Sequence, residues 1–130
     1  MTPLEEARAF FGGDSYAVEV TGCRIDAVGE KFAQCSLTLG PQHYNAVGQV
    51  MGGVSFTLAD FAFAVAANFH QPLTVSAASQ IFHLGIVKGS RLIAKTRLIK
   101  DGKRNCYYEV DVRDDLDNPI ALVTITGAHL

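Results

Sequence analysis

The sequence predicts an α+β fold in which an antiparallel sheet wraps around one long central helix. Three observations lead to this prediction: alternating apolar and polar runs that suit strands, one apolar segment long enough for a buried helix, and turn signals between the runs. The predicted order is a short helix, two strands, the long helix and four more strands. We expect a single domain over residues 1–130.

The N-terminal segment carries the signals of a short helix. Thr2 is placed to cap it, Pro3 suits the first helical position, and Glu5 completes a capping box. Gly12 and Gly13 then end the helix.

Six strands are predicted from alternation with a period of two residues. In the first of them, Val18 and Val20 alternate with polar neighbours. The hairpin signal Lys100–Lys103 joins the fourth and fifth strands. The predicted strand ranges are 16–28, 31–39, 73–84, 91–99, 105–113 and 120–128.

The long helix, within residues 51–70, contains a single formally charged residue, Asp60. Apolar residues cover all sides of its helical wheel, so we expect the helix to be buried nearly all round. An unpaired carboxylate in such a place is costly or takes up a proton, which makes Asp60 a candidate for chemistry. The alternative is a helix that exposes one edge, with Asp60 on that edge.

Composition narrows the class of protein. The net charge is −2, so no broad basic face suggests nucleic acid as a partner. The hydrophobic content of 48% indicates surface buried against another subunit, and we expect a homodimer or homotetramer. The chain shows no secretion signal or membrane span, and its three cysteines form no C-x-x-C pair. These features predict a cytoplasmic protein with reduced thiols and no membrane partner.

The loop and the helix carry one specific motif at fixed spacing. Its residues are Asn45, Gly48, Gly52, Gly53, Leu58, Asp60, Ala62, Ala66 and Asn68. This pattern resembles the core motif of hotdog-fold thioesterases of the phenylacetate-degradation (PaaI) type, N-x-x-G-x-x-H-G-G followed by a helix with L-x-D and small residues. The resemblance implies a hotdog fold and the hydrolysis of acyl-coenzyme A thioesters, with coenzyme A as part of the substrate and no separate cofactor.

The chain departs from the motif at one position. Met51 stands where the histidine before the two glycines is usual, and a thioether neither donates a hydrogen bond nor carries charge. His43 lies nearby but out of register. We expect Met51 to contribute to substrate binding, to make the pocket entrance more apolar, and to leave a modest rate.

Thioester hydrolysis needs an oxyanion stabiliser and a group that activates water. Gly52 and Gly53 offer free backbone N–H groups at a helix N-terminus. By resemblance, the Gly52 N–H is the oxyanion donor, Gly53 lies against the substrate, and Asp60 is the general base or nucleophile. Asn45 would orient substrate or water, although it also suits a turn. Ser76 would hold water, although a plain strand serine fits equally well.

The spacing of Gly52 and Asp60 predicts a dimer. Eight residues of helix separate them by roughly 12 Å, so one carbonyl group cannot touch both within one subunit. A second, antiparallel copy of the helix would place its Asp60 beside the first Gly52. The family resemblance also implies sites between subunits.

Basic residues near the predicted strand ends are candidates for the phosphates of coenzyme A. They are Lys88, Arg91, Lys103 and Arg104. The alternative is an ordinary solvated face of the sheet.

Other chemistries have weaker support. No His, Cys and Asp residues have metal-ligand spacing, and Ser55 and Ser90 lack a G-x-S-x-G context. We interpret His70, His83 and His129 as structural. Two competing functions remain: a hotdog domain that binds an acyl ligand without turnover, which Met51 suggests, and a hotdog dehydratase or hydratase.

Overall fold

A six-stranded antiparallel sheet packs against one long helix in the computed structural model, which describes residues 1–130. The helices are α1 (Pro3–Phe11) and α2 (Gly52–Asn68). The strands are β1 (Arg24–Gly29), β2 (Phe32–Thr38), β3 (Thr74–His83), β4 (Arg91–Asp101), β5 (Asn105–Asp114) and β6 (Pro119–His129). The order in the sheet is β1-β2-β4-β5-β6-β3. The predicted α+β class and the order of the long helix among the strands are confirmed.

The start of α1 has the predicted capping box. The Glu5 N–H donates to the Thr2 hydroxyl at 3.1 Å, and the Thr2 N–H donates to the Glu5 carboxylate at 2.9 Å. Two otherwise unpaired backbone donors are thereby satisfied, and the helix ends before Gly12.

The predicted first strand is wrong over its first half, because Tyr16–Thr21 forms one turn of π-helix. The Cys23 N–H donates to the Ala17 carbonyl at 2.8 Å, and Gly22 stops the turn with φ +89°. That φ lies in the left-handed region that glycine adopts readily. Val20, which the alternation places in a strand, is 61% exposed.

One face of α2 is buried and one stripe of residues along it is only partly covered. Leu58 and Phe61 belong to the buried face. The partly covered stripe consists of residues at helical spacing, Gly53, Phe56, Thr57, Asp60 and Ala64. Within one protomer the helix therefore exposes one edge, with Asp60 on it, which corrects the prediction of burial nearly all round. No helix of this chain is long and apolar enough to cross a membrane.

Strand β3 lies at one edge of the sheet and is exposed on both of its faces. Residues Val75–Gln80 are all exposed, although alternate side chains point to opposite faces. Its outer backbone edge has no neighbouring strand. An edge of this kind is a template for pairing with a second strand.

The connection from β3 to β4, residues 84–90, is hydrogen-bonded near both ends. The Leu84 N–H donates to the Ile120 carbonyl at 2.8 Å, and the Lys88 N–H donates to the Asp114 carboxylate at 3.0 Å. Burial alone would raise the pKa of Asp114, but its side-chain and backbone hydrogen bonds hold the pKa well below its usual range. Asp114 is therefore ionised and holds this connection to the end of β5.

All three cysteines are free thiols in the core, as predicted. Burial raises the pKa of Cys23 to about 12, so this thiol is protonated and unreactive at neutral pH. The cysteines therefore act as small apolar core residues.

Candidate active site

The N-terminus of α2 presents two unused backbone donors. Met51 occupies the N-cap position, and its side chain makes no capping hydrogen bond. The N–H groups of Gly52 and Gly53 donate no hydrogen bond within the protomer. Because the positive end of the helix dipole lies here as well, this point can stabilise a developing negative charge on oxygen.

His43 holds the loop that leads into this helix. The Met51 N–H donates to the His43 carbonyl at 2.9 Å. The imidazole is buried: its Nδ1 accepts from the Gly40 N–H at 2.9 Å, and its Nε2 donates to the Thr21 carbonyl at 2.7 Å. Both nitrogens are engaged, so His43 has a structural role and does not replace the histidine missing at position 51.

His83, at the end of β3, lies directly against Gly52. A β-carbon added to Gly52 would lie 2.6 Å from His83 Cε1 and 3.1 Å from Nε2, so no larger residue fits without moving the ring. From the sequence alone we interpret His83 as structural, because nothing local connects it to a residue 31 positions earlier. The contact depends on how β3 and α2 pack together, and only the tertiary structure reveals it.

Asp60 is partly buried and unpaired. Its carboxylate accepts no hydrogen bond, and it lies in no salt bridge within the protomer. Burial raises the pKa of Asp60, and the nearby negative charge of Asp14 raises it further. Asp60 thus has two properties of a general base, a raised pKa and oxygen atoms free for a new partner.

Asn45 and Ser76 are in different situations. The Asn45 side-chain oxygen accepts from the N–H groups of Val47 and Gln49 at 3.1 and 3.0 Å, so it closes a turn. Ser76 lies exposed on β3 opposite Gly127. No hydrogen bond joins either residue to Asp60, so one protomer does not assemble the predicted group.

Met51 and Gly53 line a cleft at the helix N-terminus, on the side away from His83. This cleft has a volume of about 330 Å³ and includes Tyr16, Val20 and Phe56. Met51 is 58% exposed there. The predicted apolar character at Met51 therefore extends to the π-helical turn and the exposed stripe of α2.

The four basic candidates lie at opposite ends of the sheet. Lys88 and Arg91 lie at the end that contains His83 and Gly52, whereas Lys103 and Arg104 lie in the β4–β5 hairpin. Strand β4 spans roughly 33 Å between these ends. Arg91 also donates to the Ser36 hydroxyl at 3.0 Å. The two pairs therefore cannot bind one phosphate group within a protomer.

A cluster that the sequence spacing does not indicate lies beside that hairpin. Asp101, Cys106 and His129 place possible ligand atoms within 4.8 Å of one another. However, His129 Nε2 contacts Asp101 at 2.8 Å, its Nδ1 contacts Thr74 Oγ1 at 2.7 Å, and Lys31 pairs with Asp101 at 2.9 Å. Because these groups satisfy one another, the cluster joins strand ends.

Comparison with known proteins identifies the class of this chain. It matches the family model described as the thioesterase superfamily over residues 47–121, and it belongs to that family. Within the family it is a hotdog-fold thioesterase of the PaaI type, and hence a thioester hydrolase. It is 30% identical to the acyl-coenzyme A thioesterase PaaI of Escherichia coli over 120 residues, which cover 91% of this chain and 84% of that protein.

Further relatives agree with this assignment. A putative esterase of Archaeoglobus fulgidus is 27% identical over 92% of this chain and 78% of its own length. The fold matches the solved structure of the E. coli PaaI protein with a TM-score of 0.89, at 23% identity over 98% of this chain and 94% of that chain. It also matches a Streptococcus pneumoniae hypothetical thioesterase solved with coenzyme A, with a TM-score of 0.85 at 19% identity over 95% and 96% of the two chains. The resemblance to PaaI-type hotdog thioesterases is thereby confirmed.

Proposed function

We propose that this protein hydrolyses acyl-coenzyme A thioesters at sites shared between two subunits. The observation that carries the proposal is Asp60, a partly buried carboxylate that has no partner in its own protomer. The name of the E. coli relative and the coenzyme A in the S. pneumoniae structure support this substrate class. Coenzyme A belongs to the substrate, and the reaction needs no other cofactor.

The chemistry follows from the available groups. The thioester carbonyl oxygen accepts a hydrogen bond from the Gly52 N–H, which stabilises the negative charge that develops on that oxygen. As a general base, Asp60 takes a proton from water while the water oxygen bonds to the carbonyl carbon; the C–S bond then breaks and the thiolate leaves and is protonated. As a nucleophile, Asp60 would instead form a mixed anhydride that water hydrolyses. The products are the same in both cases, a carboxylic acid and free coenzyme A.

The two groups must come from different subunits. Gly52 and Asp60 lie on one unbroken helix, roughly 12 Å apart, and this separation exceeds the reach of a single thioester group. We propose that two β3 strands pair antiparallel across a two-fold axis, which satisfies the backbone groups of the exposed edge. In this arrangement the two copies of α2 run antiparallel, and Asp60 of the partner subunit would lie beside Gly52.

Pairing along β3 also gives the basic residues a consistent role. In an antiparallel pair, the Thr74 end of one β3 lies beside the His83 end of the other. The partner's Lys103 and the partner's Arg104 then lie at the same end of the joined sheet as Gly52. They would bind phosphate groups of coenzyme A, with Lys88 and Arg91 contributed by the first subunit.

The remaining predicted residues would complete the site. The Asn45 side-chain NH₂ group donates no hydrogen bond within the protomer and is free to orient substrate or water. Ser76, which lies on β3, would bind a water molecule at the site with its hydroxyl group. Met51 and Gly53 would contact another part of the substrate, because they line the separate cleft that also contains Tyr16.

Release of free thiol from short aliphatic and aryl acyl-CoAs tests the proposal directly. Asp60→Asn should lower turnover by about 10²–10⁴-fold, the usual contribution of a general base. Glu19→Gln neutralises an exposed carboxylate on the π-helical turn and should leave turnover unchanged. Tight binding of acyl-CoA by the wild-type protein without thiol release would instead support a binding function, which Met51 also fits.

Light scattering at micromolar concentration tests the assembly. We expect a dimer or a dimer of dimers. A monomer with full activity would contradict the shared site.

A further inference from the structure

A second cleft opens on the Gly52 side of the α2 N-terminus. It has a volume of about 390 Å³. Its walls come from the loop before the helix, the first turn of the helix, the end of β3 and the connection after β3. Of all the residues that line it, only His83 is titratable. No charged side chain of these elements lines the cleft beside His83.

The His83 ring lies close to the backbone N–H of Gly52. Cα–Cβ bonds in a helix tilt toward the helix N-terminus. The ring lies against the position that a Gly52 β-carbon would take, with Cε1 2.6 Å and Nδ1 3.4 Å from it. His83 therefore lies beside the opening of the helix, next to the unused N–H of Gly52.

His83 differs from the other histidines of the chain in its bonding. It makes no side-chain hydrogen bond and no salt bridge within the protomer, and it is exposed to the cleft. The remaining three, each with a protein partner, are His43, His70 and His129. An imidazole with free nitrogens, placed at an apolar cleft beside unused backbone donors, is available to a ligand.

We propose that His83 is a catalytic residue that donates a ring N–H hydrogen bond to the thioester carbonyl oxygen, alongside the Gly52 N–H. This inference rests on the proposed function, because it assigns a second donor to the same carbonyl group. Met51, at the N-cap, supplies no donor. An imidazole from β3 thus provides the side-chain donor that the loop residue does not. The bond requires no proton transfer, because an N–H of His83 stays on the ring while negative charge builds on the oxygen.

Two substitutions of His83 separate hydrogen bonding from packing. His83→Phe keeps a flat ring of similar size and removes both nitrogens, so kcat should fall by about 10²-fold, as when one oxyanion donor is deleted. His83→Gln keeps an N–H donor and should retain at least about tenfold more activity than His83→Phe. His70→Phe is the matched control, since His70 lies at the far end of α2, roughly 27 Å along the helix from Gly52, and its kcat should equal that of the wild type.

The binding of a ligand without the carbonyl oxygen distinguishes a hydrogen-bonding role of His83 from a packing role. An S-alkyl-CoA thioether has no oxygen to accept the bond, so wild type and His83→Phe should bind it with equal Kd. Weaker binding of this thioether by His83→Phe, with His83→Gln no more active than His83→Phe, would overturn the proposal in favour of a packing role. Wild-type kcat in His83→Phe would overturn it as well.

The outcomes for His83 and for the proposed function are distinguishable. If Asp60→Asn abolishes turnover while His83→Phe retains it, the hydrolase assignment holds and the role of His83 is wrong. If the wild-type protein releases no thiol from any acyl-CoA, the proposed function fails and the role of His83 fails with it.

Discussion

Mixing two inactive variants would show whether each site draws on two subunits. Asp60→Asn removes the carboxylate, and Gly52→Pro removes the backbone donor. Proline suits this position, because it is the first residue of α2 and Met51 before it is already extended, with φ −65° and ψ 136°. The lost Gly52 N–H makes no hydrogen bond within the protomer, so the fold should survive. The new ring requires only that the exposed His83 side chain move aside.

The expected recovery follows from the geometry of the helix. With Gly52 and Asp60 roughly 12 Å apart on one helix, each site of a mixed dimer combines groups from both chains. One site then carries both defects, and the other carries neither. Random mixing makes half of the dimers mixed, so the recovered activity should be about a quarter of the wild-type value.

The assay is thiol release after the two purified variants are unfolded together and refolded, with each variant refolded alone as the control. Each homodimer has two defective sites and should stay at the background rate. Light scattering and differently tagged copies would show whether mixed dimers form. If they form and the thiol release of the mixture still stays at the background rate, the site lies within one chain. That result would refute the argument from the spacing of Gly52 and Asp60.

Three further predictions concern pH, Met51 and coenzyme A. Because burial raises the pKa of Asp60, folding favours the protonated form, and Asp60→Asn should be at least as stable as the wild type at neutral pH. Chemical denaturation should show this gain shrink as the pH falls below the folded-state pKa and vanish below the ordinary pKa of an aspartate in the unfolded chain. The acid limb of kcat/KM should likewise lie above the ordinary range of an aspartate, and a limb at the ordinary value would argue against Asp60 as the base. Met51→His should change kcat by less than about tenfold, because His83 already donates a side-chain hydrogen bond to the thioester carbonyl oxygen. A larger increase in kcat in steady-state assays would indicate that the wild-type site lacks this donor. Lys103→Ala should raise KM for acyl-CoA by up to about tenfold while leaving unchanged the KM for a pantetheine thioester, which lacks the nucleotide phosphates. Lys95→Ala, which removes an exposed lysine in the middle of β4, is the matched control and should leave both KM values unchanged.

Much of the fold could be predicted from local patterns. The capping box of Thr2 and Glu5 and the alternation along β5 each depend on residues close together in sequence, and the structure has both. The segment Tyr16–Thr21 shows the limit of this approach. Its valines alternate as in a strand, but in the structure Ala17, Val18 and Thr21 point inward, at a helical spacing. A run of six residues is too short for its periodicity to distinguish a helical turn from a strand.

The candidate site could be predicted only in part for the same reason. The motif places Gly52 at the start of α2 and Asp60 two turns later, because both lie on one continuous element. No local pattern indicates the position of His83, whose ring meets Gly52 only through the packing of β3 on α2. Lys88 and Lys103 both lie near predicted strand ends, but the length of β4 separates them.

The hydrogen bonds of the β3–β4 connection have a consequence for how substrate enters. This connection forms one wall of the cleft at Gly52, and only Ile86 and Val87 lie between its two tethers, at Gly85 and at Lys88. The second tether is the carboxylate of Asp114, which stays ionised well into the acid range. We expect a wall held in this way to stay in place, so that acyl groups of the proposed substrate would enter a slot of fixed width. Selection among acyl groups should therefore depend on the bulk of two side chains, and exchanging Ile86 or Val87 for a smaller residue offers a direct way to widen the range of substrates.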